Sequence, residues 1–270
     1  EIHDGGWGWG ENRTDGGRQY RCLNEWNQAF VDAVRATGGN NATRFLGIPA
    51  YCTSVDVAIS SMEMPQDSAE DKMMIAVHCY DPHEYTLTAK YSEWGHDAEA
   101  SKKAPGDNEA DLRKVFEKLY TNFVSKGIPV YMGEFGCVNR ASEREQKFQQ
   151  YYLKYYARLA ALNGVPAIIW DNGAAGTGNE KHAFINHATG EFCSEEAKAA
   201  ILGMEFADTP DMSQFVAKAV FDKKASEAAE LSKQLKSKMT QDEQAAAQQA
   251  EALAAMQAEL ESLRADKTIS

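Results

Sequence analysis

The sequence lacks any apolar segment as long as the roughly 20 residues that a membrane-spanning helix requires. It also lacks a recognisable signal peptide, with its basic start and short apolar core. This second absence excludes little, because the chain begins at Glu1 and not at a methionine. We therefore expect that processing or truncation removed the natural start.

Cysteine is scarce and irregularly spaced. Zinc sites and disulfide frameworks both depend on regular cysteine spacing, and the chain has no Cys-x-x-Cys pair, so neither is indicated. We predict buried free thiols instead. The five cysteines are Cys22, Cys52, Cys79, Cys137 and Cys193. The histidines show no metal-ligand spacing, and we assign neither a metal nor a cofactor.

Basic residues are in the minority, with 28 Lys and Arg against 40 Asp and Glu, and the formal net charge is −12. Nucleic acids and anionic membrane surfaces both bind basic patches, so the charge argues against either partner. The apolar fraction of 43% is typical of a folded globular protein. A neutral ligand or substrate is therefore the expected partner.

Three segments place apolar residues at the spacing of an amphipathic helix, and each is followed by glycine, which favours the left-handed helix end. The three apolar stripes are Leu23, Trp26, Phe30 and Ala33; Leu112, Val115, Leu119 and Phe123; and Phe148, Tyr151, Tyr155, Leu159 and Leu162. The glycines are Gly38 with Gly39, Gly127 and Gly164. We predict three helices that end there.

Four short apolar runs alternate with these helices, at residues 45–48, 73–78, 128–131 and 165–170. They are apolar throughout, as in parallel strands that are covered on both faces. The order predicts an α/β fold. A closed (β/α)₈ barrel needs eight strands, and a half barrel leaves two exposed edges. We therefore expect a partial TIM barrel over residues 1–204 whose N-terminal half is missing.

The composition changes at about residue 205. Residues 212–266 contain no Gly or Pro, and seven of the nine positions in a heptad-like seam from 235 to 263 are apolar. This pattern predicts a long helical tail over residues 205–270. Asp242 and Gln249 interrupt the seam. Self-association as a coiled coil, a solvated single helix and a tail packed on its own domain all remain open.

Polar and aromatic residues stand where three of the strands end. His78 and Tyr80 follow one strand, Glu134 ends another, and Trp170 ends a third. In parallel α/β barrels, functional side chains lie at these ends. An indole ring suits the apolar face of a sugar, and cleavage of a glycosidic bond requires a pair of carboxylates.

Residues 1–191 resemble the second half of glycoside hydrolase family 5, which contains many endo-β-1,4-glucanases. The matching segments are 1–10, 77–82, 129–136 and 169–173, in the order that the family has them. The resemblance implies a retaining hydrolase that acts on an extracellular polysaccharide, and hence a secreted or periplasmic location.

The resemblance also implies roles for individual residues. Glu134 matches the nucleophile and Glu1 matches the acid/base. His78 and Tyr80 match the pair that orients the nucleophile, and Trp170 matches the platform under the sugar at the point of cleavage.

Four further residues are candidate substrate contacts, each with an ordinary structural alternative in turn formation or packing: Trp7, Trp9, Trp94 and Asn172. The arginine of the family's first strands and the asparagine that precedes the acid/base have no counterpart here. We therefore expect the 270 residues alone to have little or no activity.

Three functions remain open. The first is an endo-acting β-1,4-glucan hydrolase fragment, with xyloglucan, mixed-linkage glucan, xylan or mannan as possible substrates. The second is a carbohydrate-binding remnant without catalysis. The third is an oligomerising half barrel that pairs through residues 212–266.

Overall fold

The computed structural model describes residues 17–106 and 108–202. Three predicted site residues, Glu1, Trp7 and Trp9, lie outside this part of the chain. So does the whole of the predicted tail at 205–270. These assignments therefore stay predictions.

The described residues form an α/β fold with the predicted strands and helices. The strands are β1 Leu46–Ser54, β2 Met73–His78, β3 Val130–Phe135 and β4 Ala167–Ile169. The helices are α1 Arg18–Ala36, α2 Val55–Ser61, α3 His83–Thr86, α4 Asn108–Asn122, α5 Glu143–Leu162 and α6 Glu195–Leu202, with 3₁₀ turns at Gly39–Ala42 and Val124–Lys126. Among these helices, none has the length and apolar character that crossing a membrane requires.

The four strands form one parallel sheet in the order β1-β2-β3-β4, so each strand lies beside the next one in sequence. Ile75 of β2 pairs with Ile48 on one side and with Val130 on the other. All strands run the same way, so their carboxyl ends meet at one side of the sheet. Within the described residues, β1 and β4 are the edge strands.

Burial is uneven across the two faces of the sheet. Along β1, Leu46, Ile48 and Ala50 are buried while the residues between them are half-exposed. In the middle of β2, by contrast, the consecutive residues Ile75, Ala76 and Val77 are all buried, so both faces are covered there as predicted. Helices cover one face of the sheet. On the other face the Tyr131 side chain of β3 lies over Gly47, so that a Cβ on Gly47 would lie 2.4 Å from the Tyr131 hydroxyl.

The largest core cluster joins the sheet to α4 and α5. Phe135 stacks on Tyr156 with the ring centroids 4.3 Å apart, and Phe116 meets the same tyrosine edge-on. Leu112 and Leu119, from the stripe predicted for α4, are buried in this cluster. The sheet is thereby fixed against two helices, which hold the carboxyl ends of β2 and β3 in place.

The apolar stripe predicted for α1 does not coincide with the face that this helix buries. Trp26 is 52% exposed and Phe30 is 45% exposed. The buried face instead includes Leu23, Val31 and the polar Asn27, whose Nδ2 donates to a carbonyl of β1 at 3.1 Å. The aromatic spacing was therefore misleading, because a polar residue that can bond the strand occupies the centre of the face.

Two helix ends confirm the role predicted for glycine. Gly127 and Gly164 have φ values of 81° and 65°, in the left-handed region that favours glycine. After Gly164, the amide of Val165 donates to the carbonyl of Ala160 at 2.9 Å, and the equivalent bond after Gly127 is 3.2 Å. The two similar junctions thus turn the chain from helix to strand in the same way.

All five cysteines are free thiols. Cys79 and Cys137 are buried, and Cys22 and Cys52 are partly buried. Cys193 is exposed, so the prediction of burial is wrong for that residue.

Candidate active site

The carboxyl ends of β2 and β3 bring two predicted site residues side by side. His78, the last residue of β2, pairs with Glu134 of β3, and the next amide, from Cys79, donates to the Glu134 carbonyl at 3.2 Å. The ladder therefore fixes the backbone beneath both side chains.

Two side chains contact the carboxylate of Glu134 at the same oxygen. The hydroxyl of Tyr80 donates to Oε2 at 2.9 Å, and Nδ1 of His78 lies 3.5 Å from that atom. Within residues 17–106 and 108–202, no hydrogen bond reaches Oε1. The side chain of Glu134 is 25% exposed. The structure thus orients this carboxylate from one side and leaves the other side open.

Gly133 permits the close approach of His78. A Cβ on Gly133 would lie 2.9 Å from Nε2 of His78, closer than a carbon and a ring nitrogen can approach without a shift. Any larger residue would push the imidazole away from its place beside Glu134.

Trp170 follows β4 and faces the same cavity. Its amide donates to the carbonyl of Phe135 at 2.8 Å, and the residue is 39% exposed. The cavity has a volume of about 970 Å³ and is also lined by His78, Tyr80 and Glu134. Four predicted site residues therefore share one cavity at the carboxyl ends of the strands.

The cavity continues beyond these residues to the end of β1. Cys52 and Thr53 line it there, with φ values of 56° and 47°. Two consecutive non-glycine residues in this region are strained, and such strain is concentrated at functional sites. Sequence reasoning missed this wall, and only the unusual backbone identifies it.

Charged side chains surround the far end of the cavity. Nζ of Lys118 lies 2.8 Å from Oδ1 of Asp56, and both side chains are at least half exposed. Burial raises the pKa of the nearby Asp81 above its ordinary value. Among the described residues, no group of His, Cys, Asp and Glu has the arrangement of a metal site.

Asp171 organises the loop that follows Trp170. Its carboxylate accepts hydrogen bonds from the backbone amides of Gly173, Phe184 and Ile185 at 2.6–2.9 Å, and Nε2 of His187 lies 3.1 Å away. Although burial raises the pKa of Asp171, the backbone donors lower it overall. Sequence reasoning did not single out this residue.

Asn172 has a structural role, which corrects its assignment as a substrate contact. Its Nδ2 donates to the carbonyl of Glu180, and its Oδ1 accepts from the amides of Ala174 and His182. The amide group therefore closes the loop after β4. Glu180, not Asn172, lines the cavity.

The assignment of Trp94 to the substrate cleft is also wrong. Its side chain is fully buried, and its ring packs 5.2–5.5 Å from Tyr151, Tyr152 and Tyr155. The polar loop around it suggested an exposed indole, but three tyrosines of α5 form the core that receives it.

His182 lies behind the site and was not predicted. Its ring packs edge-on against Tyr80 at 6.3 Å, and a Cβ on Gly136 would lie 3.3 Å from its Nδ1. Neither ring nitrogen has a hydrogen-bond partner among the described residues. Burial lowers the pKa of His182 to about 4, so the ring is neutral at pH 7.

A parallel α/β sheet with a carboxylate, a histidine, a tyrosine and a tryptophan at its carboxyl ends has the layout of a (β/α)₈-barrel active site. The profile of the cellulase family, glycosyl hydrolase family 5, matches residues 1–176. The chain belongs to this family.

Three known proteins illustrate the similarity. Endoglucanase B from Neocallimastix patriciarum is 36% identical over 171 residues, which are 63% of this chain and 33% of that protein. The broad-specificity endoglucanase from Bacteroides salanitronis is 50% identical, with a TM-score of 0.70 over 75% of this chain and 54% of that chain. The lichenase from Caldicellulosiruptor sp. F32, solved with cellotetraose, is 31% identical, with a TM-score of 0.64 over 73% and 52% of the two chains.

The chain therefore spans about half the length of these solved structures and about a third of the curated relative.

Proposed function

We propose that this chain supplies the nucleophile side of the active site in a retaining, endo-acting glycoside hydrolase that cleaves β-1,4-glucan-type polysaccharides. Glu134 is the nucleophile in this proposal and Glu1 is the acid/base. His78 and Tyr80 orient Glu134, and Trp170 is the platform for the sugar.

The observation that carries the proposal is the contact of Tyr80 and His78 with a single oxygen of Glu134. A nucleophilic carboxylate must present one oxygen to the anomeric carbon in a fixed direction. The hydrogen bond from Tyr80 and the adjacent His78 ring hold Oε2, and Oε1 accepts no hydrogen bond from the described residues. A carboxylate whose only role was to stabilise a turn would not need contacts with both Tyr80 and His78.

The chemistry proceeds in two steps. In the first, an oxygen of Glu134 attacks the anomeric carbon while Glu1 gives its proton to the departing glycosidic oxygen. In the second, Glu1 takes a proton from water, and that water displaces Glu134 from the sugar with overall retention of configuration. The mechanism requires the two carboxyl groups to stand about 5–5.5 Å apart.

The cavity supports an extended, neutral substrate. It runs from Trp170 to the end of β1, and an indole ring stacks well on the apolar face of a sugar. Two of the similar solved proteins carry the names broad-specificity endoglucanase and lichenase, and one of them was solved with cellotetraose. We therefore place β-1,4-glucan first, and xyloglucan, mixed-linkage glucan, xylan and mannan remain alternatives.

We propose further that the described sheet is part of a (β/α)₈ barrel. Phe45, next to edge strand β1, is 53% exposed, and Ile168 of edge strand β4 is 54% exposed. Large apolar side chains at both edges suit a sheet that continues into further strands. We expect low activity from the 270 residues alone for this reason. A polymeric substrate also favours a secreted or periplasmic location.

The test measures reducing sugars released from soluble β-glucan and xyloglucan. It uses the 270-residue chain and the same chain joined to the N-terminal half of the Bacteroides salanitronis endoglucanase. Glu134→Gln should abolish release, whereas Glu195→Gln, which changes an exposed side chain on α6, should not. If neither form releases sugar but both bind the polymer, the chain is a carbohydrate-binding protein and the proposal is wrong.

The stereochemistry separates a nucleophile from another essential carboxylate. With an activated aryl glycoside, azide should restore turnover to Glu134→Ala and give a glycosyl azide of inverted configuration. The same treatment of Glu1→Ala should give retained configuration. Identical products from the two variants would contradict the assigned roles.

A further inference from the structure

A second cavity, of about 320 Å³, lies against α5 and shares no lining residue with the catalytic cavity. Its lining residues are Trp94, Asp97, Arg144, Lys147, Phe148 and Tyr151. The first turns of α5 follow the loop that leaves β3, the strand of Glu134. We call this second cavity the α5 cavity.

Aromatic rings form the apolar part of the α5 cavity. Phe148 and Tyr151 stand one turn apart on α5, and both are half-buried. Beneath them is Trp94, whose ring centroid is 5.5 Å from that of Tyr151. Phe148 and Tyr151 therefore offer apolar ring surface of the kind that suits a sugar face, and the buried Trp94 supports Tyr151 from below.

The indole N–H of Trp94 lacks an acceptor. The nitrogen Nε1 is buried and has no hydrogen-bond partner within the described ranges. Buried donors are almost always satisfied, and an exception calls for a water or a ligand. Trp94 lines the α5 cavity, so a ligand bound there is the nearest source of an acceptor, which this N–H could reach once the rings above it shift.

The charges around the α5 cavity are already paired. Arg144 donates to both carboxylate oxygens of Glu93, at 2.7 and 3.0 Å, and holds the pKa of that carboxyl at about 2. Nζ of Lys147 lies 3.1 Å from Glu143. Oδ2 of Asp97 lies 3.5 Å from Nε2 of His96 and forms an ion pair with it when that ring is protonated. Paired charges still donate and accept hydrogen bonds, but they do not favour an ion of either sign.

We infer that the α5 cavity binds a sugar unit of a neutral polysaccharide, as a second site outside the catalytic cavity. The choice of polymer rests on the proposed function. Rings, a spare buried donor and balanced charges together match a polyhydroxylated, uncharged ligand. Such a site raises the local concentration of polymer at the catalytic cavity without contacting the bond that is cleaved.

The test is electrophoresis of the full chain through gels that contain increasing soluble β-glucan, which gives an apparent dissociation constant. Trp170→Ala is the background, so that binding in the catalytic cavity is weakened. Asp97→Ala with Lys147→Ala removes two exposed polar groups of the α5 cavity, with side chains 84% and 71% exposed. The matched control is Glu195→Ala with Lys198→Ala, an exposed ion pair on α6.

We expect the α5 substitutions to raise the apparent dissociation constant about fivefold, which corresponds to the loss of one or two hydrogen bonds. The control should leave the constant unchanged. Phe148→Ala should weaken binding further. The inference would be overturned if the gel retarded the α5 variant and the control equally, or if it did not retard the Trp170→Ala chain from which both are made. Binding that depends on the α5 cavity, with no hydrolysis even by the chain joined to the relative's N-terminal half, would instead overturn only the proposed function.

Discussion

The hydroxyl of Tyr80 lies 2.9 Å from Oε2 of Glu134, although the two residues are 54 positions apart in the chain. Parallel pairing of β2 with β3 produces this contact, because it places His78 opposite Glu134 and puts Tyr80 two residues beyond the strand end. His182 packs against the far side of the tyrosine ring. The orientation of the carboxylate therefore depends on residues from two strand ends and a later loop.

Replacement of Tyr80 by phenylalanine tests this contact. The ring would still pack against His182, but the donor to Glu134 would be lost. We expect kcat to fall about 100-fold, because Glu134 loses the donor that orients it for attack and that stabilises its charge when it departs in the second step. The measurement is steady-state hydrolysis of β-glucan by the chain joined to the relative's N-terminal half. Tyr155→Phe, which removes a hydroxyl from α5, is the control, and equal kcat in both variants would contradict the role of Tyr80.

The strand ends were the part of the site that sequence could predict. A short apolar run followed by Glu134 or by Trp170 is visible in the sequence, because a parallel strand and its polar end are consecutive. The buried faces of the helices were harder to predict from the sequence. Trp26 is exposed and Asn27 is buried on α1 because the polar side chain bonds a neighbouring strand, and residue spacing carries no information about that partner.

Contacts made across the loops could not be predicted for a similar reason. Trp94 sits in a polar stretch, yet tyrosines 57 to 61 positions later enclose it. His182 has no neighbouring motif, and its place behind Tyr80 follows only from the path of the loop after β4. Local sequence therefore located Glu134, the proposed nucleophile, but not the residues packed around its partners.

Gly133→Ala should disturb the site without changing its charged groups. The added Cβ would lie 2.9 Å from Nε2 of His78 and displace the imidazole. We expect a loss of about 1–3 kcal/mol in the free energy of unfolding and at least a tenfold loss of kcat. Urea denaturation and hydrolysis assays measure both. His78→Ala in the same chain should remove the clash, so failure of the double variant to regain stability would contradict this cause.

Asp171→Asn should loosen the loop that follows Trp170, the proposed sugar platform. The neutral amide is a weaker acceptor for the three backbone N–H donors that the carboxylate now serves. We expect about 2 kcal/mol less stability and a higher KM, because Trp170 is the adjacent residue. The control is Asp111→Asn. The Asp111 side chain is exposed on α4, and among the described residues its only ion pair is with Lys114. Equal stability of the two variants would show that Asp171 does not hold the loop.

His182 should make the protein less stable as the pH falls from about 6.5 toward 4. Burial lowers its pKa in the folded chain from 6.5 to about 4; the charge of Asp171 opposes this shift and that of Arg140 adds to it. Between these values the unfolded chain binds a proton that the folded chain does not, so the free energy of unfolding decreases with decreasing pH. His182→Gln should flatten this dependence in urea titrations at pH 7, 6 and 5. His96, whose pKa is raised by its hydrogen bond to Glu109, gives the opposite sign, so His96→Gln should steepen the fall. A pH dependence that is the same with and without His182 would mean that this ring is solvated in the folded protein.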